Sequence, residues 1–381
     1  LPYFRIWAEN LPTATIIYQE LQDHYPGRAG EIVDQLSTDE LIALATGDPA
    51  KDQGASALGS AGQTVPGAAA ETVNVAEKDP YNVASIVLAD GPAGLRLRSE
   101  YQVRADGSVD GGDFLDGFEN GYFAEPKEPT GTVYHQYCTA IPVGTLLAQS
   151  WNLDLMKKLG QMIAGEMNEF EVTLWLAPGM SLHRNPLCGR NFEYYSEDPL
   201  LAGRMASAMT LGVQSVPGCG TTIKHYACNN QEDNRMGSDS ILSERTLREI
   251  YLKGFEIAIR NAQPMAMMTS YNLINGVHAA NSYDICTKAA RDEWGFEGAI
   301  MTDWTTTTDS TAGECTAAGC MKAGNDMVMP GDIRDHASIR QALEDGSLDI
   351  RELKRCVYHT VKIILQSNQY EDAVSYEDQF K

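Results

Sequence analysis

Polar side chains end four of the short apolar segments in this sequence. The residues in question are Asp90, the pair Lys224 and His225, Tyr271, and the pair Asp303 and Trp304. In α/β barrel enzymes the C-terminal ends of the strands, with the loops that follow them, form the active site. The carboxylates, the amine, the imidazole and the phenol of these residues are therefore expected to converge on one mouth of the fold.

The segments that carry these residues have the length of strands, and segments of helix length separate them. The apolar segments span residues 85–90, 173–178, 221–225, 265–270, 298–303 and 326–330, and the helical segments span residues 153–170, 200–213, 244–261 and 283–294. Continuous apolar segments are typical of strands that are buried on both faces, as in a parallel sheet. The alternation predicts an α/β fold, either a single barrel or a doubly wound sheet.

The rest of the chain has other patterns. Residues 1–48 are predicted to be helical, with Ser37 or Thr38 as the cap of the second helix. Residues 49–80 and 98–137 are rich in glycine and polar residues and are predicted to be loops. The predicted parts are a helical leader or linker (1–48), a barrel domain (49–332) and C-terminal helices that pack on the barrel (333–381).

The chain carries far more acidic than basic residues. Its 381 residues include 29 Lys and Arg against 52 Asp and Glu, which gives a formal net charge of −23. Such a charge repels nucleic-acid phosphates and anionic membrane surfaces. No run of 18 apolar residues is present to span a bilayer. We therefore expect a neutral or cationic small molecule as the ligand, and neither nucleic acid nor a membrane as a partner.

The cysteines and histidines show no spacing typical of a metal or redox site. The eight cysteines include no Cys-x-x-Cys pair, and the histidines are scattered. Gly91-Pro-Ala-Gly94 is not a phosphate-binding loop, so neither a metal nor a cofactor is expected. No signal peptide is visible, and we expect reduced thiols in a cytoplasmic protein. Because the chain starts with Leu1 rather than Met, the sequence leaves secretion open.

Several motifs between residues 85 and 331 occur in the order typical of one enzyme family. They are Leu88-Ala-Asp-Gly-Pro-Ala-Gly-Leu-Arg96, Ile141-Pro-Val-Gly-Thr-Leu-Leu-Ala-Gln-Ser-Trp-Asn152, His183-Arg-Asn-Pro-Leu-Cys-Gly-Arg190, Asn191-Phe-Glu-Tyr-Tyr-Ser-Glu-Asp-Pro199, Lys224-His-Tyr226, Ser270-Tyr-Asn-Leu-Ile-Asn-Gly276 and Met301-Thr-Asp-Trp304. With these motifs the chain resembles the barrel domain of glycoside hydrolase family 3, the β-glucosidase family. The resemblance implies an α/β fold of the TIM-like (β/α)8 barrel type, in which irregular strands are allowed, with flanking helices.

The same resemblance implies roles for residues in these motifs. Asp303 corresponds to the nucleophile of a retaining glycosidase, whose ionised carboxylate attacks the anomeric carbon to form a glycosyl-enzyme intermediate. Tyr271 corresponds to a tyrosine that orients this carboxylate, and Trp304 is expected to supply an apolar platform for a sugar face. The expected ligands of the sugar in subsite −1 are Asp90, Arg190, Lys224, His225 and Arg235.

The implied function is a retaining, exo-acting β-glycosidase, similar to a β-glucosidase, that hydrolyses terminal non-reducing β-linked sugars. The family usually places its general acid/base on a second, α/β-sandwich domain, and some members carry that domain before the barrel. Only helical residues follow Pro330 here, so we expect another domain or chain to supply this residue. The alternative acids within the chain are Glu193, Glu197 and Glu232. The loop after Lys224 lacks the second histidine of the β-N-acetylglucosaminidase branch, which disfavours that branch.

Other functions stay open on the sequence alone. A barrel without its acid could bind sugars without cleaving them, and β-xylosidase-type specificity is compatible with the same motifs. An aldolase-like barrel would instead use Lys224 as a Schiff-base nucleophile. The sequence does not determine which β-linked sugar and which linkage are recognised, nor whether the chain forms a homo-oligomer.

Overall fold

The computed structural model of this protein describes residues 20–49, 64–75, 82–110, 130–308 and 315–370. Within these ranges no helix combines the length and the apolar character needed to cross a lipid bilayer. The strands are β1 (Ala70–Glu71), β2 (Val87–Ala89), β3 (Glu100–Val103), β4 (Val109–Asp110), β5 (Thr132–His135), β6 (Leu174–Trp175), β7 (Gly220–Tyr226), β8 (Asp239–Ser240), β9 (Ala266–Thr269), β10 (Leu273–Ile274), β11 (Val277–His278) and β12 (Ala299–Met301).

The helices lie mainly between and after the parallel strands. They are α1 (Gly27–Val33), α2 (Thr38–Leu44), α3 (Gly144–Gln149), α4 (Leu153–Glu169), α5 (Pro199–Val213), α6 (Glu244–Thr246), α7 (Lys253–Ala262), α8 (Ala317–Ala323), α9 (Ile333–Glu344) and α10 (Ile350–Leu365). The described residues also contain two π-helical segments, Leu247–Tyr251 and Asp284–Glu293, and two short 3₁₀ helices, Asn191–Glu193 and Ala279–Asn281.

A curled six-stranded sheet forms the centre of the molecule. Its strand order is β1-β2-β6-β7-β9-β12, and every neighbouring pair except β1 and β2 is parallel. The strand β7 is buried along its whole length, as expected for a strand that is covered on both faces. This sheet, flanked by helices, confirms the predicted TIM-like barrel with irregular strands.

Isolated bridges continue the sheet from β12 round to β1. Met301 bridges Met327, Val328 bridges Thr46, and Gly47 bridges Thr72, the residue directly after β1. The predicted strand over residues 326–330 therefore takes part in the ring, but only through these bridges rather than as a strand of its own.

Gly47 shows why the ring can close at this point. A Cβ atom on residue 47 would lie 1.9 Å from the carbonyl oxygen of Pro330, so no larger residue fits. The backbone N–H of Gly47 donates to the carbonyl oxygen of Val328 at 2.9 Å. The close approach of two backbone segments therefore depends on the missing side chain.

A buried ion pair fixes the position of β12 from outside the barrel. Asp326 accepts hydrogen bonds from Arg291, from the backbone N–H of Ile300 at 2.7 Å and from His359 Nδ1 at 3.1 Å. Burial lowers the pKa of His359 to about 4, with a further contribution from the charge of Arg291, so this histidine is neutral at pH 7. Since Ile300 belongs to β12, the network holds the strand that leads to Asp303.

Residues 98–137 differ from the loop that the sequence predicts. They contain β3, β4 and β5, which form a small antiparallel sheet in the order β4-β3-β5. Tyr101 and Tyr134 are paired across β3 and β5, and their rings stack with 5.6 Å between centroids. Cross-strand aromatic pairs of this kind stabilise short strands. Residues 111–129 of the predicted loop, and most of residues 49–80, lie outside the described residues.

Two predicted helices have π-helical geometry. The predicted helix over residues 244–261 is divided into α6, a π segment and α7, and the predicted helix over residues 283–294 is the π helix Asp284–Glu293. In the first, the backbone N–H of Leu252 donates to the carbonyl oxygen of Leu247, a spacing of five residues. A pattern read at 3.6 residues per turn does not distinguish this geometry from an α helix.

The beginning and the end of the described chain pack against each other. Ser37 caps α2 in a capping box with Glu40, which selects Ser37 from the two predicted caps. The helix α10 packs on α1 and α2 and also contacts β12. The rings of Tyr25 and Tyr358 stack at this contact with 4.6 Å between their centroids. Residues 1–19 of the predicted leader and residues 371–381 of the C-terminal segment lie outside the described residues.

Candidate active site

A cavity of about 780 Å³ lies at the C-terminal ends of β2, β7, β9 and β12. The structure brings all eight predicted site residues to its wall, although their chemical roles stay predictions. These residues are Asp90, Arg190, Lys224, His225, Arg235, Tyr271, Asp303 and Trp304. The convergence expected for strand-end polar residues of a barrel is thus present.

Asp303 follows β12 and is buried, with 7% of its surface exposed. Its Oδ1 atom accepts a hydrogen bond from the backbone N–H of Trp304 at 2.8 Å. Its Oδ2 atom has no hydrogen-bond partner among the described residues. Burial raises the pKa of this carboxyl group, and the positive charges of Arg190, Lys224 and Arg235 oppose the rise. A desolvated carboxylate with one unengaged oxygen is suited to nucleophilic attack.

Asp90 and Lys224 form an ion pair in the cavity, with 2.7 Å between Nζ of Lys224 and Oδ1 of Asp90. Arg96 donates from Nη2 to the second oxygen of Asp90 at 2.6 Å. Burial alone would raise the pKa of Asp90, but the charges of Lys224 and Arg96 outweigh it and hold the pKa well below its usual range. Only 3% of the Lys224 side chain is exposed, so protein groups rather than water compensate its charge.

His225 lies between Asp303 and Tyr194. Its Nδ1 atom is 3.0 Å from the hydroxyl oxygen of Tyr194, and its Nε2 atom is 3.6 Å from Oδ2 of Asp303, which is too long for a hydrogen bond. Burial lowers the pKa of His225, and the charges of Arg190 and Lys224 lower it further. The imidazole is therefore neutral at pH 7.

Two arginines in the cavity are oriented by glutamates close to them in the chain. Arg190 donates from Nε to Oε1 of Glu193 at 2.5 Å, and Arg235 donates from Nη1 to Oε2 of Glu232 at 2.8 Å. The guanidinium carbon of Arg235 also lies 4.4 Å from the ring centroid of Tyr271, a cation–π contact. Both guanidinium groups are thus held in place before any ligand is bound.

The aromatic rings of Tyr271 and Trp304 flank Asp303. Burial raises the pKa of Tyr271, and the negative charge of Asp303 adds to the rise, so the phenol stays protonated and can donate. Trp304 is half-buried and donates from Nε1 to the carbonyl oxygen of Ala69 at 3.2 Å. Met268 contributes an apolar side chain to the same cavity.

The three alternative acids lie in different surroundings. Glu193 and Glu232 line the cavity, and each forms an ion pair with an arginine. Glu197 is exposed and does not line the cavity. A carboxylate that accepts hydrogen bonds from a guanidinium is poorly suited to donate a proton to a leaving group.

The structure adds residues that the sequence analysis did not assign to the site. Phe192 and residues 138–140 line the cavity, and Tyr194 contacts His225 from behind it. Phe192 and Tyr194 lie inside one of the family motifs, which was a signal that a functional residue could be near. The contact of Tyr194 with a residue 31 positions away was visible only in the fold.

Histidine, cysteine and carboxylate side chains are the usual protein ligands of metal ions. Across the parts of the chain that the structure describes, no three or more of these side chains are grouped to hold a metal ion. All eight cysteines are free thiols, and seven of them are buried.

A barrel whose mouth holds a buried carboxylate among arginine, lysine and histidine side chains has the features of an enzyme that binds a hydroxyl-rich ligand. Comparison with known families agrees with this description. Residues 126–363, well over half of the chain, match the model of the glycosyl hydrolase family 3 N-terminal domain. The chain therefore belongs to glycoside hydrolase family 3.

Several characterised relatives and one group of solved structures are similar to the chain. β-Glucosidase A of Butyrivibrio fibrisolvens is 38% identical over 274 residues, which are 72% of this chain and 27% of that protein. The exo-α-(1→6)-L-arabinopyranosidase of Bifidobacterium breve is 42% identical over 226 residues, 59% of this chain and 29% of that protein. The structure of β-glucosidase 3B from Thermotoga neapolitana in complex with glucose superposes with a TM-score of 0.74 at 37% identity, covering 93% of this chain and 45% of that one. The chain thus spans less than half the length of these proteins.

Proposed function

We propose that this chain is the nucleophile-bearing barrel of a retaining, exo-acting β-glycosidase of the β-glucosidase type. The observation that carries the proposal is the state of Asp303. Its carboxylate is buried at the end of β12, lines the cavity and has an oxygen without a hydrogen-bond partner among the described residues. Three cations around it favour the ionised form that nucleophilic attack requires.

The proposed reaction has two steps. In the first, a carboxylate oxygen of Asp303 forms a bond to the anomeric carbon as the bond to the leaving oxygen breaks, and that oxygen takes a proton from a general acid. In the second, a water molecule attacks the anomeric carbon and gives one proton to the conjugate base of the same general acid, while the ester bond breaks and Asp303 leaves as a carboxylate. In both steps, charged groups in the cavity would form hydrogen bonds to the hydroxyl groups of the sugar. These groups belong to Asp90, Lys224 and Arg190.

The general acid belongs to another domain or another chain in this proposal. Glu193 and Glu232 are engaged with arginines, and Glu197 lies outside the cavity wall. The chain also covers only 27% of the length of the Butyrivibrio relative and 45% of the Thermotoga structure, which leaves ample length for a further domain in such proteins. An α/β-sandwich domain remains our proposed source.

The lyase alternative is less well supported by the geometry. A Schiff-base lysine must lose its proton, whereas the ammonium group of Lys224 lies 2.7 Å from Asp90 in an ion pair.

Free thiols in all eight cysteines support the proposal of a cytoplasmic location.

A mechanism-based label tests the role of Asp303 without needing the acid. Dinitrophenyl 2-deoxy-2-fluoroglucoside carries a leaving group that departs without protonation, and the fluorine slows hydrolysis of the ester. We expect mass spectrometry of the digested protein to find one fluoroglucosyl group on the peptide that contains Asp303. The matching fluoroxyloside tests for β-xylosidase-type specificity.

Two variants serve as controls for this experiment. Asp303→Asn is expected to abolish labelling and to reduce turnover of dinitrophenyl glucoside by at least about 10³-fold. Asp233→Asn removes an exposed carboxylate from the loop that carries Arg235 and is expected to label like the native chain. A label on another residue, or native turnover in Asp303→Asn, would contradict the proposal. Binding of glucose with no label would favour the sugar-binding barrel.

A further inference from the structure

A chain of hydrogen bonds leads from the surface of the cavity to the back of His225. Glu232, which holds Arg235, also accepts a hydrogen bond from Nδ2 of Asn229 at 3.4 Å. The same Nδ2 donates to the hydroxyl oxygen of Tyr194 at 3.3 Å, and this hydroxyl lies 3.0 Å from Nδ1 of His225. The chain ends where Nε2 of His225 faces Oδ2 of Asp303 at 3.6 Å.

The chemistry of these groups fixes the direction of each hydrogen bond. A carboxylate only accepts, so the side-chain amide of Asn229 must turn its NH₂ group toward Glu232 and hence toward Tyr194. The hydroxyl oxygen of Tyr194 therefore accepts from Asn229. The hydroxyl of Ser181 also lies beside it, but this group already donates to the carbonyl oxygen of His225 and accepts from its backbone N–H, both at 3.3 Å. The proton of Tyr194 therefore donates to Nδ1 of His225 at 3.0 Å. A neutral imidazole that accepts at Nδ1 carries its single proton on Nε2.

Packing leaves the ring of Tyr194 little freedom to move. The side chain is fully buried and is not part of the cavity wall. A Cβ atom on Gly179 would lie only 3.1 Å from Cδ1 of the ring, so the backbone at residue 179 directly supports it. The ring also meets His225 edge to face, with 6.0 Å between centroids. The hydroxyl group is thus held at one place behind the imidazole.

We propose that Tyr194 is a positioning residue that sets the tautomer of His225, so that the imidazole presents an N–H group rather than a lone pair to the cavity and to Asp303. With the proton on Nε2, the N–H group faces the carboxylate at 3.6 Å and can donate to a ligand oxygen placed beside it. With the proton on Nδ1, a lone pair would face the negative charge of Asp303. This proposal adds a positioning residue to the proposed function. The tautomer of His225 does not depend on the proposed function, whereas the expected effect on kcat/KM does.

Nuclear magnetic resonance tests the tautomer directly. In the chain labelled with ¹⁵N-histidine, two-bond ¹H–¹⁵N correlations at pH 7 distinguish a protonated ring nitrogen from an unprotonated one. The signals of His225 are assigned by their loss in His225→Gln. We expect a single species with the proton on Nε2 in the native chain, and a second species with the proton on Nδ1 in Tyr194→Phe.

Tyr195→Phe is the matched control, because Tyr195 is the adjacent residue, is also buried, and its hydroxyl makes no hydrogen bond to another described residue. This variant should keep the native spectrum. For dinitrophenyl glucoside, kcat/KM should fall about tenfold in Tyr194→Phe, as expected for the loss of one oriented hydrogen bond, and stay native in Tyr195→Phe.

A proton on Nδ1 of His225 in the native chain would overturn the proposal. A native spectrum in Tyr194→Phe, or the same new species in Tyr195→Phe, would also overturn it. If the native chain turns over no glycoside, the proposed function fails, while the spectra still decide whether Tyr194 sets the tautomer.

Discussion

The ion pair between Asp90 and Lys224 leads to a prediction about the free energy of unfolding. Asp90→Ala removes the acceptor of a lysine whose side chain is 3% exposed, and breaking a buried pair in this way costs about 3–5 kcal/mol. The lower end of this range applies, because 26% of the Asp90 side chain is exposed. We therefore expect a loss of about 3 kcal/mol in the free energy of unfolding.

Removing the charge of Lys224 as well should restore much of that loss. In Asp90→Ala/Lys224→Met, no ammonium group is left unpaired in the cavity, and an apolar side chain of similar length fills its place. Arg96 loses its acceptor too, but 45% of its side chain is exposed, so water can replace the carboxylate. The double variant should be more stable than Asp90→Ala by at least about 1.5 kcal/mol.

Urea unfolding followed by circular dichroism measures these differences. Because the pKa of Asp90 is lowered in the fold, its contribution is fully present above about pH 4 and is lost as the pH falls further, so the titrations belong at pH 7. Arg96→Gln is the control, because it removes the partner of Asp90 whose side chain is 45% exposed. This variant should lose no more than about 1 kcal/mol in the free energy of unfolding. A double variant that is no more stable than Asp90→Ala would refute the reasoning.

Three further predictions follow from the surroundings of single residues. Because burial raises the pKa of Asp303, the acid limb of kcat/KM for dinitrophenyl glucoside should lie above about pH 4 and move to higher pH in Lys224→Met; a limb that stays in place contradicts the assignment. Asp326→Ala removes the carboxylate partner of the buried Arg291, which keeps only the carbonyl oxygens of Phe296 and Gly298 as acceptors, and should cost about 3–5 kcal/mol in urea unfolding; a loss below about 1 kcal/mol would show that the pair is not essential. Ser37→Ala removes the cap of α2 and should lower stability by about 1 kcal/mol, measured as a fall in Tm; an unchanged Tm would mean that the cap contributes nothing.

The sequence could predict the strands and the positions of the polar residues along them. Five of the six apolar segments contain a strand of the central sheet, because burial on both faces leaves a clear apolar pattern. The same pattern placed Asp90, Lys224 and Asp303 at strand ends, and the structure places all three at one cavity.

The pairing of these residues could not be predicted in the same way. Asp90 and Lys224 are 134 positions apart, so their contact depends on the order of strands in the sheet rather than on any local pattern. The same is true of the bridge between Thr46 and Val328, which continues the sheet between segments with no strand of their own. The π-helical segments were missed because their apolar spacing is close to that of an α helix.

The charged residues around the cavity balance one another. Its wall carries four carboxylates and four permanent cations, which are Asp90, Glu193, Glu232 and Asp303 against Arg96, Arg190, Lys224 and Arg235. The cavity is thus electrically neutral inside a chain with a net charge of −23. Esterification of Asp303 would remove one negative charge and leave the pocket with an excess of +1. That excess favours the return of the carboxylate, and it would attract a small anion such as azide at distances shorter than the screening length of about 10 Å.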